Sequence, residues 1–163
     1  IKVGGTTMWE RWDGLRPDGT MADADLSGNG DGGNMISFNH YAYGAVIDWV
    51  YRNVAGIAPS KDIPGYRSIE FAPRPAIGFT YAKADINTAY GVAAISWSLD
   101  GADNLIAKIE IPFGSTGHLD LPVNADSAIY VNGNRAENGV TLTYGKHTIR
   151  VTNPSIVHFD QEQ

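Results

Sequence analysis

The sequence predicts an α+β chain: a loop and one helix, followed by an antiparallel β-sandwich. A segment rich in Gly, Asp and Thr comes first, and one stretch with apolar residues three and four apart follows it. From there to the end, apolar and polar residues alternate with a period of two. We place the domain boundary after residue 60, which divides the chain into residues 1–60 and 61–163. The second part is large enough to fold by itself.

Composition limits the classes of function. The chain has 163 residues, 43% of them apolar, and a formal net charge of -6. An acidic balance argues against a nucleic-acid partner, because phosphate binding needs clustered Lys and Arg. The absence of cysteine excludes disulfides and thiolate-bound zinc. No apolar run reaches the length of a membrane span, so no membrane partner is predicted.

The first 36 residues predict a long loop, with Ser27–Gly33 as its most Gly-rich part. Loops of this length inside a domain are usually functional. Asp25 to Gly30 partly match a calcium-binding loop, but Ile36 stands where a bidentate Glu is required. A substrate-side loop is favoured, while calcium binding stays open. We predict no metal site and no cofactor.

A helix is predicted at about residues 38–55, with Ser37 as N-cap and Gly56 as the stop. One helix cannot bury a broad apolar stripe alone, and no second helix is evident. We therefore expect partner helices upstream in a longer polypeptide, or a second copy of the chain over the exposed face. Trp49 on this helix is predicted to be a core residue. The stripe consists of Phe38, Tyr41, Ala42, Ala45, Val46, Trp49, Val50 and Val54.

The remainder predicts short strands separated by turns. Asp100-Gly101 and Asn132-Gly133 are dipeptides that form turns with positive φ. Many short strands with turns every ten residues or so predict a sandwich, with Trp97 in its core. The strands are placed at about residues 67–72, 79–88, 91–99, 104–111, 116–121, 127–131, 140–143 and 146–152.

The candidate site centres on Trp9-Glu10-Arg11-Trp12. Indole faces pack on sugar rings, and a carboxylate between them can handle a proton. Two interpretations of Glu10 are open: a catalytic acid or base, or a glutamate ion-paired with Arg11 or another cation. Trp9 and Trp12 could stack on a sugar or pack in a core.

Histidine supplies a second candidate, since His40 falls in the first turn of the predicted helix. A helix N-terminus disfavours imidazolium, and a neutral ring can both donate to and accept from a sugar hydroxyl. Spacing alone favours a structural histidine bonded to the loop. His118, His147 and His158 are predicted to lie at the surface, without metal-ligand spacing.

Four segments of the chain together resemble the C-terminal part of bacterial-type α-L-rhamnosidases. They are Gly5–Trp12, Ser37–Gly44, Trp49–Ile57 and Phe71–Pro75. The resemblance implies that residues 1–60 are the last loop and helix of an (α/α)₆ barrel. Residues 61–163 would then be the β-sandwich that follows it. Such proteins are cytoplasmic or secreted, and the compartment stays open here.

The resemblance also implies the chemistry of an inverting glycoside hydrolase acting on a rhamnose-containing glycoside. Glu10 would be the general base and His40 would contact rhamnose, with Trp9 and Trp12 lining the sugar pocket. The general acid would come from the missing N-terminal part of the same protein. The isolated chain is therefore expected to be inactive.

Two alternatives to a catalytic role are open. The sandwich could be a non-catalytic carbohydrate-binding or structural module, which exposed Tyr or Trp side chains on one β-face would favour. The chain could also belong to a degenerate paralogue without a catalytic role.

Overall fold

A computed structural model describes residues 4–20 and 36–157. The chain divides into two compact units, Ile1–Asp48 and Trp49–Gln163. The predicted Asp/Gly-rich loop around Ser27–Gly33 lies outside the described residues, as does His158. Within the described part of the chain, no helix is long and apolar enough to cross a membrane.

The helical stretch begins later than predicted. Helix α1 spans Tyr41–Gly44, α2 spans Val46–Trp49, and a π-helical segment covers Val50–Ala55. The N-cap position belongs to His40, in an extended conformation and without a side-chain cap bond. The prediction of Ser37 as N-cap was therefore wrong. Its hydroxyl instead accepts a bond from the backbone N–H of Asn39 at 3.3 Å.

Long-range backbone pairing explains the delayed start. The N–H of His40 donates to the Met8 carbonyl at 2.8 Å, and the N–H of Ser37 donates to the Glu10 carboxylate. A cap at Ser37 would accept a hydrogen bond from the N–H two or three residues later, and the N–H of His40 is already bonded to Met8. The chain before Tyr41 therefore stays out of helical geometry.

The end of the helix is as predicted. Gly56 adopts the left-handed conformation, with φ 79°, and its N–H donates to the Tyr51 carbonyl at 2.9 Å. A Cβ on Gly56 would lie 2.2 Å from the backbone nitrogen of Pro73. Both the positive φ and this close approach require glycine.

The apolar face of the helix is exposed. Neither α1 nor α2 contains a buried residue, and Tyr41 is 88% exposed. The side chain of Trp49 is 55% exposed, so its prediction as a core residue was wrong. Val50 and Val54 are half-buried and Ala55 is buried, so the uncovered part of the stripe is the part on α1 and α2.

The second unit is a β-sandwich, as predicted. A four-stranded sheet has the order β1-β2-β6-β9, and a six-stranded sheet has the order β3-β4-β5-β10-β7-β8. All neighbours are antiparallel except β2 and β6, which pair in parallel. The strands are β1 (Ile57–Pro59), β2 (Ser68–Phe71), β3 (Tyr81–Thr88), β4 (Gly91–Leu99), β5 (Leu105–Ile111), β6 (Thr116–Leu119), β7 (Val123–Val131), β8 (Asn134–Ala136), β9 (Thr141–Leu142) and β10 (Gly145–Pro154).

The sequence missed β1 and β8. Strand β1 is three residues long and ends in a proline, which masks its alternation. Strand β8 is polar and short, and it follows the Asn132-Gly133 turn. That turn has the predicted positive φ at both residues, 51° and 84°. In the other predicted turn, the left-handed residue is Asp103 (φ 56°) instead of Gly101.

Apolar side chains of both sheets form one core. Trp97 is 3% exposed, which confirms its prediction, and its Nε1 donates to the Val54 carbonyl at 3.1 Å. This bond satisfies one of the backbone acceptors that a helix end leaves open. The largest fully buried apolar side chains are Phe71, Ile57, Ile69, Ile95, Leu105, Leu119, Ile149 and Val151.

Candidate functional site

The carboxylate of Glu10 is anchored by the backbone of Ser37. The N–H of Ser37 donates to Oε2 of Glu10 at 2.9 Å, and the N–H of Glu10 donates to the Ser37 carbonyl at 2.8 Å. The side chain of Glu10 is nevertheless exposed. An exposed carboxylate with one oxygen fixed by a backbone donor has a defined orientation and still meets solvent.

Two further bonds join the same pair of segments. The hydroxyl of Thr7 donates to the Phe38 carbonyl, and the N–H of His40 donates to the Met8 carbonyl at 2.8 Å. Residues 7–10 are thus attached to residues 37–40 along their length. The attachment brings Glu10 and His40 into one structural element of the first unit.

Trp9 is the packed centre of this element. Its side chain is 7% exposed, and its ring meets the Phe38 ring edge-on with centroids 4.7 Å apart. A Cβ at Gly5 would lie 3.1 Å from the Trp9 ring, so glycine leaves room for the indole. Trp9 therefore packs beneath residues 7–10 and 37–40 and is shielded from solvent.

Trp12 differs from Trp9 in its exposure. The two rings stack with centroids 5.9 Å apart, but Trp12 is 61% exposed. Of the two tryptophans, Trp12 is the one with an open aromatic face. Such a face can pack on the apolar side of a sugar ring.

Arg11 forms its ion pair with Asp13 and not with Glu10, although the charge of Glu10 still acts on Arg11 at longer range. The Arg11 guanidinium donates from Nε and Nη2 to the two Asp13 oxygens, at 3.0 and 2.8 Å. The hydrogen bonds from Arg11 hold the pKa of Asp13 below its ordinary value, and the positive charge of Arg11 acts in the same direction. The guanidinium of Arg11 is thus bound to the neighbouring Asp13 carboxylate.

His40 sits where the extended segment meets α1. Its ring packs against Tyr43 with centroids 4.3 Å apart and against Tyr41 with centroids 6.4 Å apart. Its Nδ1 is buried and has no hydrogen-bond partner among the described residues. A buried polar atom without a partner costs roughly 1–3 kcal/mol, which makes this nitrogen a candidate contact for a further group.

The ring of His147 is engaged within the sandwich. His147 bonds through its ring to the Thr143 carbonyl at 3.0 Å and to the Asn132 side chain at 3.2 Å. The partial calcium pattern from Asp25 to Gly30 lies outside the described residues. In residues 4–20 and 36–157, no three His, Asp or Glu side chains are grouped as metal ligands would be.

Ser37 makes a contact with Glu10 that the sequence did not reveal. The sequence predicts it as a helix cap, whereas its N–H binds the Glu10 carboxylate. A backbone donor carries no residue-type signal, and the two residues lie 27 positions apart. Only the fold could show this pairing.

Comparison with known proteins gives two family models. Residues 1–54 match the bacterial α-L-rhamnosidase 6 hairpin glycosidase domain. Residues 56–137 match the bacterial α-L-rhamnosidase C-terminal domain. The two matches follow one another along the chain with a single residue between them.

Curated relatives of the chain are named α-L-rhamnosidases. An α-L-rhamnosidase of Streptomyces avermitilis is 35% identical over 145 residues, which are 87% of this chain and 13% of that protein. An α-L-rhamnosidase of Formosa agariphila is 33% identical over 153 residues, 92% of this chain and 15% of that protein. The chain thus spans less than a sixth of the length of these relatives.

Solved structures agree with the sequence relatives. The α-L-rhamnosidase of Dictyoglumus thermophilum superposes with a TM-score of 0.68 at 26% identity, over 94% of this chain and 17% of that one. The Streptomyces avermitilis α-L-rhamnosidase in complex with L-rhamnose gives 0.65 at 33% identity, over 93% of this chain and 14% of that one. From both family models and these relatives, the chain belongs to the bacterial α-L-rhamnosidases and matches their C-terminal region.

Proposed function

We propose that this chain is the C-terminal portion of an enzyme that releases terminal α-L-rhamnose with inversion, and that Glu10 is its general base. The family membership supports the reaction class, and one relative binds L-rhamnose in its solved structure. The observation that carries the assignment of Glu10 is its paired hydrogen bonding with Ser37 at an exposed position.

The geometry of Glu10 suits the activation of water. In an inverting glycosidase one carboxyl group protonates the leaving oxygen, and a carboxylate about 6.5–9.5 Å away takes a proton from water. The N–H of Ser37 holds Oε2 at 2.9 Å, which fixes the plane of the carboxylate. Oε1 is then the oxygen that receives the proton of the attacking water.

His40 and Trp12 have supporting roles in this proposal. The packing of His40 against Tyr43 fixes its ring, so that Nε2, the ring nitrogen other than the buried Nδ1, meets a sugar hydroxyl in one orientation. The open face of Trp12 stacks on the pyranose. Trp9 contributes by packing beneath both segments, and its burial favours core packing over sugar stacking, the two roles that the sequence left open.

The general acid belongs to polypeptide outside this chain. We propose that residues 1–60 complete a barrel whose other helices cover the exposed apolar side chains of α1 and α2, and that residues 61–163 form the sandwich that follows the barrel in the sequence. A base without its acid does not cleave a glycoside, because the leaving oxygen would depart as a strongly basic alkoxide.

The experiment uses the 163-residue chain and a chimera. The chain alone should release no L-rhamnose from a disaccharide in which α-L-rhamnose is linked to glucose, because this alcohol leaving group needs the general acid. The chimera, in which this chain replaces the matching segment of the Streptomyces avermitilis relative, should hydrolyse the same substrate. Hydrolysis by the isolated chain, or a folded chimera that is inactive, would contradict the proposal.

A second candidate function has one observation in its favour. Tyr81 on the outward side of β3 is 75% exposed, as a carbohydrate-binding face of the sandwich would require. Calorimetric titration with L-rhamnose separates the two functions. Binding that is abolished by Glu10→Ala or His40→Ala locates the sugar in the first unit, and binding unaffected by both moves it to the sandwich.

A further inference from the structure

The outward face of the six-stranded sheet contains a trough that runs along β4. Beyond Val92, the outward side chains of β4 are small: Ala94, Ser96 and Ser98. The flanking strands β3 and β5 carry long side chains at the paired positions. Because neighbouring strands lie only about 4.8 Å apart, small residues between longer ones leave a groove with β4 as its floor.

A row of three residues crosses the middle of this trough. Lys83 pairs with Ser96, and Ser96 pairs with Lys108 on its other side. The two lysines therefore stand on opposite banks, two strand spacings or about 9.5 Å apart, with a single hydroxyl between them. Both lysine side chains are exposed.

The fold concentrates positive charge here in an acidic chain. The sequence contains five lysines: Lys2, Lys61, Lys83, Lys108 and Lys146. Three of them line one cavity, although they come from three different strands. Lys146 lies 3.6 Å from Glu110, whereas Lys83 and Lys108 form no ion pair with any described residue.

The other charges of this face are few. Asp85 lies two residues beyond Lys83 on the same side of β3, and Arg150 lies outward on β10 opposite Ile106. Arg135 lies outward on β8, in the same row as Arg150 and Tyr130, so cations outnumber the two carboxylates that β3 and β5 contribute, Asp85 and Glu110. Two like charges that face each other across a small residue favour an anion between them.

The trough is large enough for a ligand and offers more than charge. A cavity of about 430 Å³ lies on one side of the lysine row and one of about 310 Å³ on the other, and both share Ser96 as floor. Tyr81 walls the second cavity and is 75% exposed. Thr148, opposite Lys108, adds a further hydroxyl to the first cavity.

We propose that this trough binds a saccharide that carries carboxylates, with a uronate group held between Lys83 and Lys108. The hydroxyls of Ser96 and Thr148 exchange hydrogen bonds with sugar hydroxyls, and the ring of Tyr81 packs on a neighbouring pyranose. A neutral sugar would leave the two ammonium groups without a counter-charge.

The position of the trough favours a saccharide over an acidic peptide. A peptide strand binds a sheet through free backbone groups at its edge. Strand β4 is paired on both sides, with β3 and β5, so its backbone donors and acceptors are already used. A peptide could therefore not add to β4 as a further strand, whereas a saccharide needs only the side chains of this face.

This inference does not rest on the proposed catalytic role. The trough lies on β3, β4 and β5 and uses neither Glu10 nor His40. A Glu10→Ala chain should therefore bind an acidic saccharide as the wild type does. Absence of acidic-saccharide binding would count against this inference alone, and an inactive chimera would count against the proposed function alone.

The experiment is a calorimetric titration of the 163-residue chain with α-1,4-galacturonotriose and with its full methyl ester. The ester has the same sugar skeleton without charge. We expect the acid to bind at least about tenfold more tightly than the ester, with an affinity that falls as salt is raised. The K83Q/K108Q variant should lose about tenfold in affinity, and the matched variant Lys61→Gln should bind unchanged.

A second variant tests the trough without altering charge. Ser96→Phe fills the floor and should abolish binding, while far-UV circular dichroism shows whether the sandwich is intact. Equal binding of acid and ester, or wild-type affinity in K83Q/K108Q, would overturn the proposal. Tighter binding of tetraglutamate than of the trisaccharide would assign the face to an acidic peptide, and equally tight binding of sulfate would reduce it to a simple anion site.

Discussion

Glu10 and Ser37 hold each other by two hydrogen bonds, one from each backbone N–H, at 2.8 and 2.9 Å. One bond joins the two backbones, and the other ends on the carboxylate. The pairing of residues 7–10 with residues 37–40 therefore determines the position of the Glu10 side chain. Any change that separates residues 7–10 from residues 37–40 should disturb this carboxylate as well.

The two tryptophans of the site should respond differently to truncation. Trp9→Ala removes a buried indole and should destabilise the first unit by about 3 kcal/mol or more. Trp12→Ala removes an exposed one and should cost less than about 1 kcal/mol, while weakening L-rhamnose binding. Urea unfolding followed by far-UV circular dichroism measures the first effect and calorimetry the second. Equal stability of the two variants would refute the assignment of Trp9 as a support.

Gly56 should tolerate no side chain. Gly56→Ala introduces a left-handed alanine and a Cβ 2.2 Å from the Pro73 nitrogen, so we expect a loss of more than about 2 kcal/mol in the free energy of unfolding. Gly78→Ala is the matched control, because Gly78 also has a positive φ (88°) but open space around its Cβ. It should lose only about 1–2 kcal/mol. A Gly56 variant no less stable than the control would show that the close approach is relieved at no cost.

Asp100 should make the β4–β5 turn sensitive to acid. The Asn104 side chain, then the N–H groups of Asn104 and Ala102, donate to its carboxylate and lower its pKa. A folded-state pKa below the unfolded value of about 3.9 stabilises the fold above that pH, and the contribution disappears as pH falls through the folded value.

Unfolding at several pH values measures this effect. Wild type should be more stable than Asp100→Ala at pH 6, and the difference should shrink below about pH 4. Asn104→Ala should move the Asp100 titration, followed by NMR, back towards its ordinary pKa. A stability difference that is constant from pH 6 to pH 2 would contradict this role.

The exposed helix face should make the isolated chain self-associate. Tyr41, Val46 and Ile47 of the first unit are 88%, 51% and 50% exposed, and contiguous apolar surface of a few hundred Å² commonly drives association. Sedimentation velocity should show dimers or larger species that increase with concentration, and V46K/I47K should shift them to monomer. A wild-type chain that stays monomeric at high concentration would argue against this expectation.

Local features of the fold were readable from the sequence, and long-range ones were not. The helix stop at Gly56 and the turn at Asn132-Gly133 follow from the conformations that glycine and asparagine adopt. The helix start was misplaced because the bond from His40 to Met8 joins residues 32 positions apart. Likewise the parallel pairing of β2 with β6 leaves no mark in either strand.

The candidate site was likewise predictable from the sequence only in its local features. Glu10 stood out because its neighbours are tryptophans, yet the partner that orients it is a backbone N–H. Burial of Trp9 and exposure of Trp12 could not be separated by residue type. The Lys83, Ser96 and Lys108 row depends on the register of three strands, and a one-residue shift would remove it.

The role of Glu10 as base is tested most directly in the chimera with the Streptomyces avermitilis relative. Gln at position 10 can still accept the Ser37 hydrogen bond, but it cannot take a proton from water. Glu10→Gln should therefore lower kcat on 4-nitrophenyl α-L-rhamnoside by about 10²–10⁴-fold with little change in KM. Azide, which needs no deprotonation, should restore turnover, and the exposed-site control Glu137→Gln should leave kcat unchanged. A Glu10→Gln chimera that turns over at the rate of the unmutated chimera would contradict the account.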